Sequence, residues 1–248
     1  MCGTCGCAAP TTIALEQRVL EKNDLLAERN REWFARRHIL AVNLMSSPGS
    51  GKTTLLERTV RAMAERAPVF VIEGDQATGL DSGRIRAAGA RALQINTGAG
   101  CHLDAAMVAR GLRELDPPEG SLLFVENVGN LVCPALFDLG ESARVVVASV
   151  TEGADKPLKY PHMFRCADLL LLNKVDLLPH LDVDLAAFER AAASVRPGLV
   201  PLPVSATRGD GLESWYGWLR ARAPRSSAPG EVRGGLLAQP GMRAVHRG

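Results

Sequence analysis

The feature that most constrains the fold is a glycine-rich segment that joins an apolar run to a helical stretch. It reads Ser46-Ser47-Pro48-Gly49-Ser50-Gly51-Lys52-Thr53-Thr54 and follows the run 39–45. Gly49 and Gly51 allow the backbone to curl so that successive N–H groups point at phosphate oxygens, and the helix N-terminus adds its positive dipole end. The usual pattern begins with glycine, where this chain has Ser46. The segment predicts a nucleotide site whose phosphate-binding residues are Gly49, Ser50, Gly51, Lys52, Thr53 and Thr54.

The residues expected to bind Mg²⁺ and the γ-phosphate come from this loop and from the ends of two predicted strands. Lys52 is expected to reach the β- and γ-phosphates, and the Thr53 hydroxyl to ligate Mg²⁺. Asp75 and Glu126 each follow or end an apolar run, and either carboxylate can hold the ion through water. The Gly129 N–H is the expected γ-phosphate sensor. No glutamine directly follows Gly129 to orient water, so we name no catalytic base and expect slow turnover.

A second motif selects the base. Asn173-Lys174-Val175-Asp176 follows the apolar run 168–172. A carboxylate fixed past a strand end accepts hydrogen bonds from guanine N1–H and its exocyclic amine, a donor pair that adenine lacks. Asn173 is expected to brace the loop, and the Lys174 stem to pack over the base. A backbone N–H of the later segment 205–207 is expected to meet guanine O6. The sequence therefore predicts GTP, with a base site at Asn173, Lys174, Asp176, Ser205 and Ala206.

Short apolar runs alternate with helical segments from residue 39 onward. Runs such as 69–72 and 122–125 are continuous, which is typical of parallel strands buried on both faces. The intervening segments have the length of crossover helices. We predict an α/β fold of the P-loop NTPase type, with a mostly parallel sheet and helices on both faces. Strands are expected at 39–45, 69–72, 92–95, 122–125, 144–150, 168–172 and 199–204, and helices at 53–66, 103–115, 182–195 and 211–222.

Charge and composition divide the chain into one globular body and peripheral segments. The 248 residues carry a formal net charge of +2, but residues 221–248 hold five arginines and one glutamate, which leaves −2 for the rest. A near-neutral body argues against nucleic acid as the main partner. No apolar run approaches the roughly 20 residues that a membrane span needs. We expect a flexible cysteine-rich leader at 1–10, a helix at 11–37, a nucleotide-binding domain at 38–222 and a disordered tail at 223–248.

Three of the six cysteines stand in the leader. The leader lacks the basic and apolar regions of a signal peptide, so we expect a cytoplasmic protein whose thiols stay reduced. Cys2, Cys5 and Cys7, with the α-amine, offer four soft or borderline donors. That set suits Ni²⁺ or Cu²⁺ in a tetragonal site, or Zn²⁺ in a tetrahedral one. Iron–sulfur binding is an alternative that the guanine motif disfavours.

Cys101-His102 is a second candidate metal site. The pair stands at the start of a predicted helix, and Cys133 lies four residues after Gly129, on the segment expected to respond to the γ-phosphate. Both segments follow parallel strands and should open on the sheet edge that holds the nucleotide. If the three residues share a metal ion, nucleotide state and metal affinity are reciprocally linked. The pattern predicts a GTP-gated metal carrier, with Cys166 assigned to the core.

These motifs, in this order, resemble the hydrogenase nickel-incorporation GTPase family, HypB. The resemblance covers about residues 36–220 and the leader, through the segments Cys2–Cys7, Ser47–Thr53, Gly100–Asp104, Glu126–Pro134 and Thr151–Pro157. It implies a GTPase of the class that dimerises around its nucleotides. It also implies delivery of nickel to the large subunit of [NiFe] hydrogenase, together with a small zinc-containing nickel chaperone.

The resemblance also assigns the metal residues by position. It implies a high-affinity nickel site at the three leader cysteines, and a nickel/zinc site at the dimer interface formed by Cys101, His102 and Cys133. It further implies that a lysine in the segment 155–157 contacts nucleotide across that interface. The histidine-rich stretch that some members use for nickel storage is absent here, so storage is not expected.

Two alternatives compete with this interpretation. A sister GTPase that serves urease has a similar domain and metal site but normally lacks the cysteine leader. A metal buffer with a vestigial or regulatory GTP site would not need the intact segments 51–53 and 173–176.

Overall fold

The computed structural model describes residues 10–75, 80–98 and 100–223. Seven strands are β1 Leu40–Ser46, β2 Val69–Asp75, β3 Arg91–Asn96, β4 Leu122–Glu126, β5 Ala143–Ser149, β6 Leu169–Asn173 and β7 Pro201–Pro203. The α-helices are α1 Pro10–Arg36, α2 Lys52–Met63, α3 Leu80–Ala87, α4 Ala105–Leu115, α5 Lys156–Lys159, α6 Pro161–Arg165, α7 Leu185–Val195 and α8 Leu212–Arg222. The predicted leader cysteines and most of the predicted tail lie outside the described residues.

The strands form one seven-stranded sheet in the order β3-β2-β4-β1-β5-β6-β7. Every neighbouring pair is parallel. β1 lies near the centre, between β4 and β5, and all seven of its residues are buried. Because all strands run the same way, the loops that follow β1, β2, β4 and β6 emerge at one edge, where ligands bind in open α/β sheets. The predicted parallel α/β fold is confirmed.

Helices cover both faces of the sheet. On one face, α2, α3 and α8 pack on alternate strand residues such as Val42, Phe124 and Val145, with Trp215 fully buried. On the other, α1 and α4 pack on Ile72 and its neighbours, and α6 and α7 pack on the β5 and β6 residues that point that way. Alternation is required because successive side chains of a strand point to opposite faces.

The N-terminal helix α1 packs along α4 as part of the same body. Ala27 and Phe34 are buried, and the Asn30 side-chain amide donates to the carbonyls of Ala105 (2.9 Å) and Leu139 (3.0 Å). Arg31 pairs with Asp138 at 2.6 Å. These contacts join α1 to the start of α4 and to the loop before β5.

The main differences from the sequence-based expectation are three helices that were not predicted, α3, α5 and α6, and a shorter last strand. α3 was not predicted, since its eight residues have little apolar periodicity and include Gly83. β7 spans three residues where 199–204 was expected, because Pro201 and Pro203 have no N–H for a longer ladder.

Within the described residues, no helix combines the length and apolar character of a membrane span.

Candidate functional site

The loop between β1 and α2 turns at two glycines. Gly49 has a φ of 74° and Gly51 a φ of 90°, both in the left-handed region, and a Cβ at Gly51 would lie 2.5 Å from Nδ2 of Asn173. The loop borders a cavity of about 580 Å³. The cavity is lined by residues 46–54, by Glu73, Gly74 and Asp75 of β2, by Glu126, Asn127 and Gly129 around the end of β4, and by Arg84 and Lys174.

Three of the predicted catalytic residues meet at the end of β4. Lys52 Nζ lies 2.6 Å from Oε1 of Glu126, and the Thr53 hydroxyl donates to the same oxygen at 2.7 Å. The other Glu126 oxygen is buried and, within the described residues, has no hydrogen-bond partner. The hydroxyls of Ser47 and Ser50 are also buried and have no hydrogen-bond partner among the described residues. Such atoms need a ligand or water, and this set fits a phosphate chain with Mg²⁺.

Asp75 and Gly129 lie at the same edge of the sheet. Asp75 ends β2 and lines the cavity. A Cβ at Gly129 would lie 3.2 Å from the backbone N and Cα of Pro48, so this segment packs directly on the phosphate loop. Their assigned roles in Mg²⁺ binding and phosphate sensing stay predictions, and both residues are placed where those roles need them.

Asn173 and Lys174 tie the loop after β6 to the phosphate loop. Asn173 Nδ2 donates to the Ser50 carbonyl at 2.8 Å, while its Oδ1 accepts the Ala206 N–H at 2.9 Å. Lys174 has a φ of 64°, and its Nζ donates to the Gly49 carbonyl at 2.6 Å. The base-binding and phosphate-binding loops are therefore held together by side chains of the predicted guanine motif.

Asp176 is oriented by a hydroxyl from the loop after β7. Ser205 Oγ donates to its Oδ1 at 2.6 Å. The Ser205 N–H donates to the Asp210 carbonyl at 2.9 Å, and the Ala206 N–H is used as described above. Two of the three amides expected to meet guanine O6 are thus engaged within the chain. The contact of a backbone N–H of the segment 205–207 with guanine O6 stays a prediction.

The predicted internal metal residues are brought together by the fold. The sulfurs of Cys101 and Cys133 lie 2.7 Å apart, and Cys101 Sγ lies 3.7 Å from Nδ1 of His102. One ligand atom from each residue falls within 4.8 Å of the others. Two thiolates held on one metal ion by bonds of about 2.3 Å lie about 3.8 Å apart at the tetrahedral angle, so the two sulfurs have to separate by about 1 Å when a metal binds. The His102 ring stacks on Phe137, with centroids 3.9 Å apart, which fixes its orientation.

The surroundings of this cluster adjust the protonation of its donors. A shared hydrogen bond with Cys101, and then burial, raise the pKa of the Cys133 thiol. Burial lowers the pKa of His102, and the charge of Asp104 only partly opposes this. His102 is therefore neutral at neutral pH, as a metal ligand must be, whereas the Cys133 thiol must lose a proton to bind.

Short-range turns place the ligands. Thr97 closes the turn before Cys101, because its carbonyl accepts the Gly100 N–H at 2.9 Å and its hydroxyl donates to the Gly100 carbonyl at 2.8 Å. Cys133 begins a 3₁₀ turn, Cys133–Ala135. The Asn130 side chain donates to the Cys101 carbonyl at 3.4 Å, which links the two ligand-bearing segments.

Other predicted residues lie apart from this cluster or outside the described chain. Cys2, Cys5 and Cys7 belong to the residues that are not described. Cys166 is partly buried against the core cluster that includes Met163, and its thiol donates to the Met163 carbonyl at 3.2 Å. Lys156 pairs with Glu152 at 3.5 Å within its own chain.

Arg84 and Asn127 are among the residues that line the nucleotide cavity and to which sequence reasoning assigned no role. Arg84 of α3 donates to Glu57 at 2.9 Å and to the Thr54 hydroxyl at 3.3 Å. Asn127 directly follows β4 and is 1% exposed. Its place after Glu126 at a parallel strand end indicated a role at the cavity, but two of its side-chain hydrogen-bond partners, Asn43 and Leu103, are distant in sequence.

Comparison with known proteins gives consistent matches. A family model for the CobW/HypB/UreG nucleotide-binding domain matches residues 40–201. The hydrogenase maturation factor HypB of Rhizobium leguminosarum bv. viciae is 54% identical over 227 residues, which are 92% of this chain and 76% of that protein. The crystal structure of HypB from Archaeoglobus fulgidus matches with a TM-score of 0.76 and 40% identity, covering 82% of this chain and 98% of that one. HypB from Helicobacter pylori in complex with nickel matches with a TM-score of 0.75 and 36% identity, covering 81% and 94%.

Proposed function

We infer that this chain, which belongs to the CobW/HypB/UreG family and within it to the HypB P-loop GTPases, is a hydrogenase maturation factor that carries nickel under the control of GTP. The observation that carries this proposal is the cluster of Cys101, His102 and Cys133, at the sheet edge that holds the nucleotide cavity. A related protein was crystallised in complex with nickel, which supports nickel as the cargo.

The nucleotide half of the function rests on the chain's own residues. Lys52 neutralises the β- and γ-phosphates, and the loop amides cradle them. Thr53 and Glu126 would hold Mg²⁺, Glu126 through water, and the bound ion would neutralise charge that develops on the phosphates. Asp176, oriented by Ser205, selects guanine. We expect slow intrinsic turnover, since no residue assigned here acts as a base on the attacking water.

The metal half uses two donor sets. The leader cysteines Cys2, Cys5 and Cys7 form the high-affinity nickel site of the proposal, and the internal cluster forms the second site, open to nickel or zinc. Thiolate and imidazole donors favour these ions over Mg²⁺ or Ca²⁺. The need for reduced thiols places the protein in the cytoplasm.

Gating follows from the segment that joins the two sites. Residues 127–133 begin at the nucleotide cavity, pass over Pro48 at Gly129 and end at the metal ligand Cys133. A rearrangement of this segment on GTP binding or hydrolysis moves Cys133 relative to Cys101, so nucleotide state changes metal affinity and metal changes nucleotide affinity by the same factor.

The proposal includes a homodimer and two protein partners. Val132 and Leu136 flank Cys133 on either side and are 51% and 47% exposed. Apolar side chains beside a site with three protein donors favour a surface covered by a second copy, which would bring further donors. The partners are a small zinc-containing nickel chaperone and the large subunit of [NiFe] hydrogenase.

A nickel titration tests the metal assignment. The reduced full-length protein and a Cys2/Cys5/Cys7→Ala variant are titrated while thiolate-to-metal charge-transfer absorbance is recorded. The proposal expects one tight equivalent that is lost in the variant and a second, weaker equivalent that persists. Equal signals in both proteins would confine nickel to the internal cluster and favour the urease-type alternative.

Delivery requires its own experiment. Nickel-loaded protein is mixed with the metal-free hydrogenase large subunit and its chaperone, with GTP or with a non-hydrolysable analogue, and nickel in the separated large subunit is measured. Transfer that depends on the nucleotide supports the proposal. Nickel retention under all nucleotides, with normal GTP turnover, would favour a metal buffer with a regulatory GTP site.

A further inference from the structure

The loop that carries Cys101 and His102 is attached to the segment 127–133, called the nucleotide segment below, by the buried side chain of Asn127 in addition to the Asn130–Cys101 hydrogen bond. Asn127 Oδ1 accepts the backbone N–H of Leu103 at 3.1 Å and that of Val128 at 3.0 Å. Leu103 directly follows Cys101 and His102, while Val128 lies beside Gly129. A single side-chain oxygen therefore holds the backbones of both segments.

Of the two segments that Asn127 joins, the one with Asn127 and Gly129 lines the nucleotide cavity, and the other reaches it through the packing of Leu103 against Gly74. Leu103 is fully buried, and a Cβ at Gly74, which lines the cavity, would lie 2.6 Å from its Cγ. Asn127 itself lines the cavity beside Glu126. A shift of the strand ends on nucleotide binding thus reaches Leu103 both through packing and through the hydrogen bond.

Asn127 is held in this position by a buried polar chain. Its Nδ2 donates to Asn43 Oδ1 at 3.3 Å, and Asn43 Nδ2 donates to Glu141 Oε1 at 3.1 Å. Glu141 also accepts from Arg144 Nε at 2.7 Å. Asn43 is fully buried in the central strand. Because each amide has both its donor and acceptor satisfied, the side chain of Asn127 has one defined orientation.

We propose that Asn127 is the positioning residue that couples nucleotide state to metal affinity, by fixing the Cys101-His102-Leu103 loop to the segment that senses the γ-phosphate. This inference rests on the proposed function and names the contact through which its regulation acts. Without the Asn127 oxygen, this loop keeps only the longer hydrogen bond from Asn130 to the Cys101 carbonyl, at 3.4 Å, and its two ligands follow the movement of the segment that bears Cys133 less closely. Nucleotide binding and metal binding then persist as separate events.

The test measures linkage rather than activity. The full-length chain with Cys2/Cys5/Cys7→Ser leaves the internal cluster as its nickel site, and the Kd for nickel is measured with Mg²⁺–GDP and with a Mg²⁺-bound non-hydrolysable GTP analogue. We expect the two Kd values for nickel to differ by at least about fivefold in this background and by no more than about twofold after Asn127→Ala. Nucleotide affinity and melting temperature are recorded for every variant.

A matched control is provided by Asn30→Ala. Asn30 is another buried asparagine, 5% exposed. Its side chain donates to the carbonyls of Ala105, beside the same loop, and Leu139, and neither acceptor belongs to the nucleotide segment. It should lower stability and leave the Kd ratio unchanged. Loss of the ratio in both variants would show a general effect of destabilisation and overturn the proposal.

A conservative variant keeps the proposal falsifiable if Asn127→Ala does not fold. Asn127→Asp retains an oxygen for both N–H groups and should preserve the ratio at saturating nucleotide, despite lower stability. A ratio lost in folded Asn127→Asp, or kept in folded Asn127→Ala, would overturn the assignment. Equal nickel affinity with both nucleotides in the background protein would also overturn it, while intact nickel binding and GTP turnover there would leave the carrier function standing.

Discussion

Lys52 and Glu126 form an ion pair in which the ammonium lies 2.6 Å from a carboxylate that is 3% exposed. Both residues are assigned to the nucleotide, so phosphate binding by Lys52 competes with this pair. Separation of a buried pair is costly unless each charge gains a new partner. Phosphate provides one for Lys52, and Mg²⁺ with its water provides one for Glu126. Nucleotide and metal ion are therefore expected to bind together.

Glu126→Gln should impair hydrolysis more than binding. The substitution keeps the shape of the side chain but removes the charge that holds Mg²⁺ through water. We expect GTP turnover to fall about 10- to 100-fold, as for other residues that orient a metal through water, with a smaller change in GDP affinity. Turnover measured against Mg²⁺ concentration checks this, and unchanged turnover at low Mg²⁺ would contradict the assignment.

Asp176→Asn should change the preferred base. The carboxylate accepts two N–H groups of guanine, and each hydrogen bond to a charged group contributes about 1.5–3 kcal/mol. We expect a loss of about 100-fold or more in GTP affinity and a gain for xanthosine triphosphate, whose C2 carbonyl accepts from the new amide. Ser205→Ala, which removes the hydroxyl that orients Asp176, should cost less and keep the guanine preference. Equal GTP affinity in Asp176→Asn would refute this base site.

Cys101→Ala should remove the internal metal site. With one thiolate lost, the remaining Cys133 and His102 are too few donors for a stable site. In the Cys2/Cys5/Cys7→Ser background, zinc or nickel bound per chain should fall to near zero. Cys166→Ala is the control, because that thiol lies apart from the cluster and bonds to Met163. Unchanged metal content after Cys101→Ala would exclude the shared site.

Metal affinity at the internal cluster should rise with pH. The raised pKa of the Cys133 thiol means that a proton must leave before metal binds, and each such proton adds up to about tenfold in affinity per pH unit. Burial keeps the pKa of His102 below its ordinary value of 6.5, so His102 adds no slope above neutral pH. The Kd for zinc at three pH values between 6.5 and 8.5 checks this. A constant Kd would rule out thiol deprotonation at the site.

Asp138→Asn should weaken the attachment of α1, mainly above pH 4. Burial opposes ionisation, but the Gly140 N–H and Arg31 hold the pKa of Asp138 below its ordinary value of 3.8. A carboxylate whose pKa is lowered by folding stabilises the protein above its unfolded pKa, and that stability is lost as pH falls through the folded pKa. The variant should lose up to about 1 kcal/mol at neutral pH and show a flatter decline on acidification.

Urea unfolding between pH 3 and 7 measures this effect. Asp24 is an exposed residue of α1, and Asp24→Asn should leave the dependence of stability on pH unchanged. A decline of Asp138→Asn parallel to that of the unsubstituted protein would assign the acid sensitivity to other carboxylates.

The sequence by itself determined the architecture and the place of the cavity to which the nucleotide is assigned. Continuous apolar runs specify parallel strands, and Gly49, Gly51 and Lys52 specify a phosphate loop after one of them. Since parallel strands end at a common edge, residues such as Glu126 and Asp176 were expected there without any knowledge of their contacts. These inferences depend only on local periodicity and on the direction of the strands, which neighbouring residues encode.

Tertiary structure alone decided the contacts that span long stretches of chain. Cys101 and Cys133 are 32 residues apart, yet their sulfurs meet, because the β2–β3 and β4 units pack side by side. Sheet register and side-chain packing decide which N–H groups donate to Asn127. They also decide that the Ala206 N–H donates to a side chain of the same chain. A sequence lists donors and acceptors, but only the folded chain determines which of them are close enough to pair.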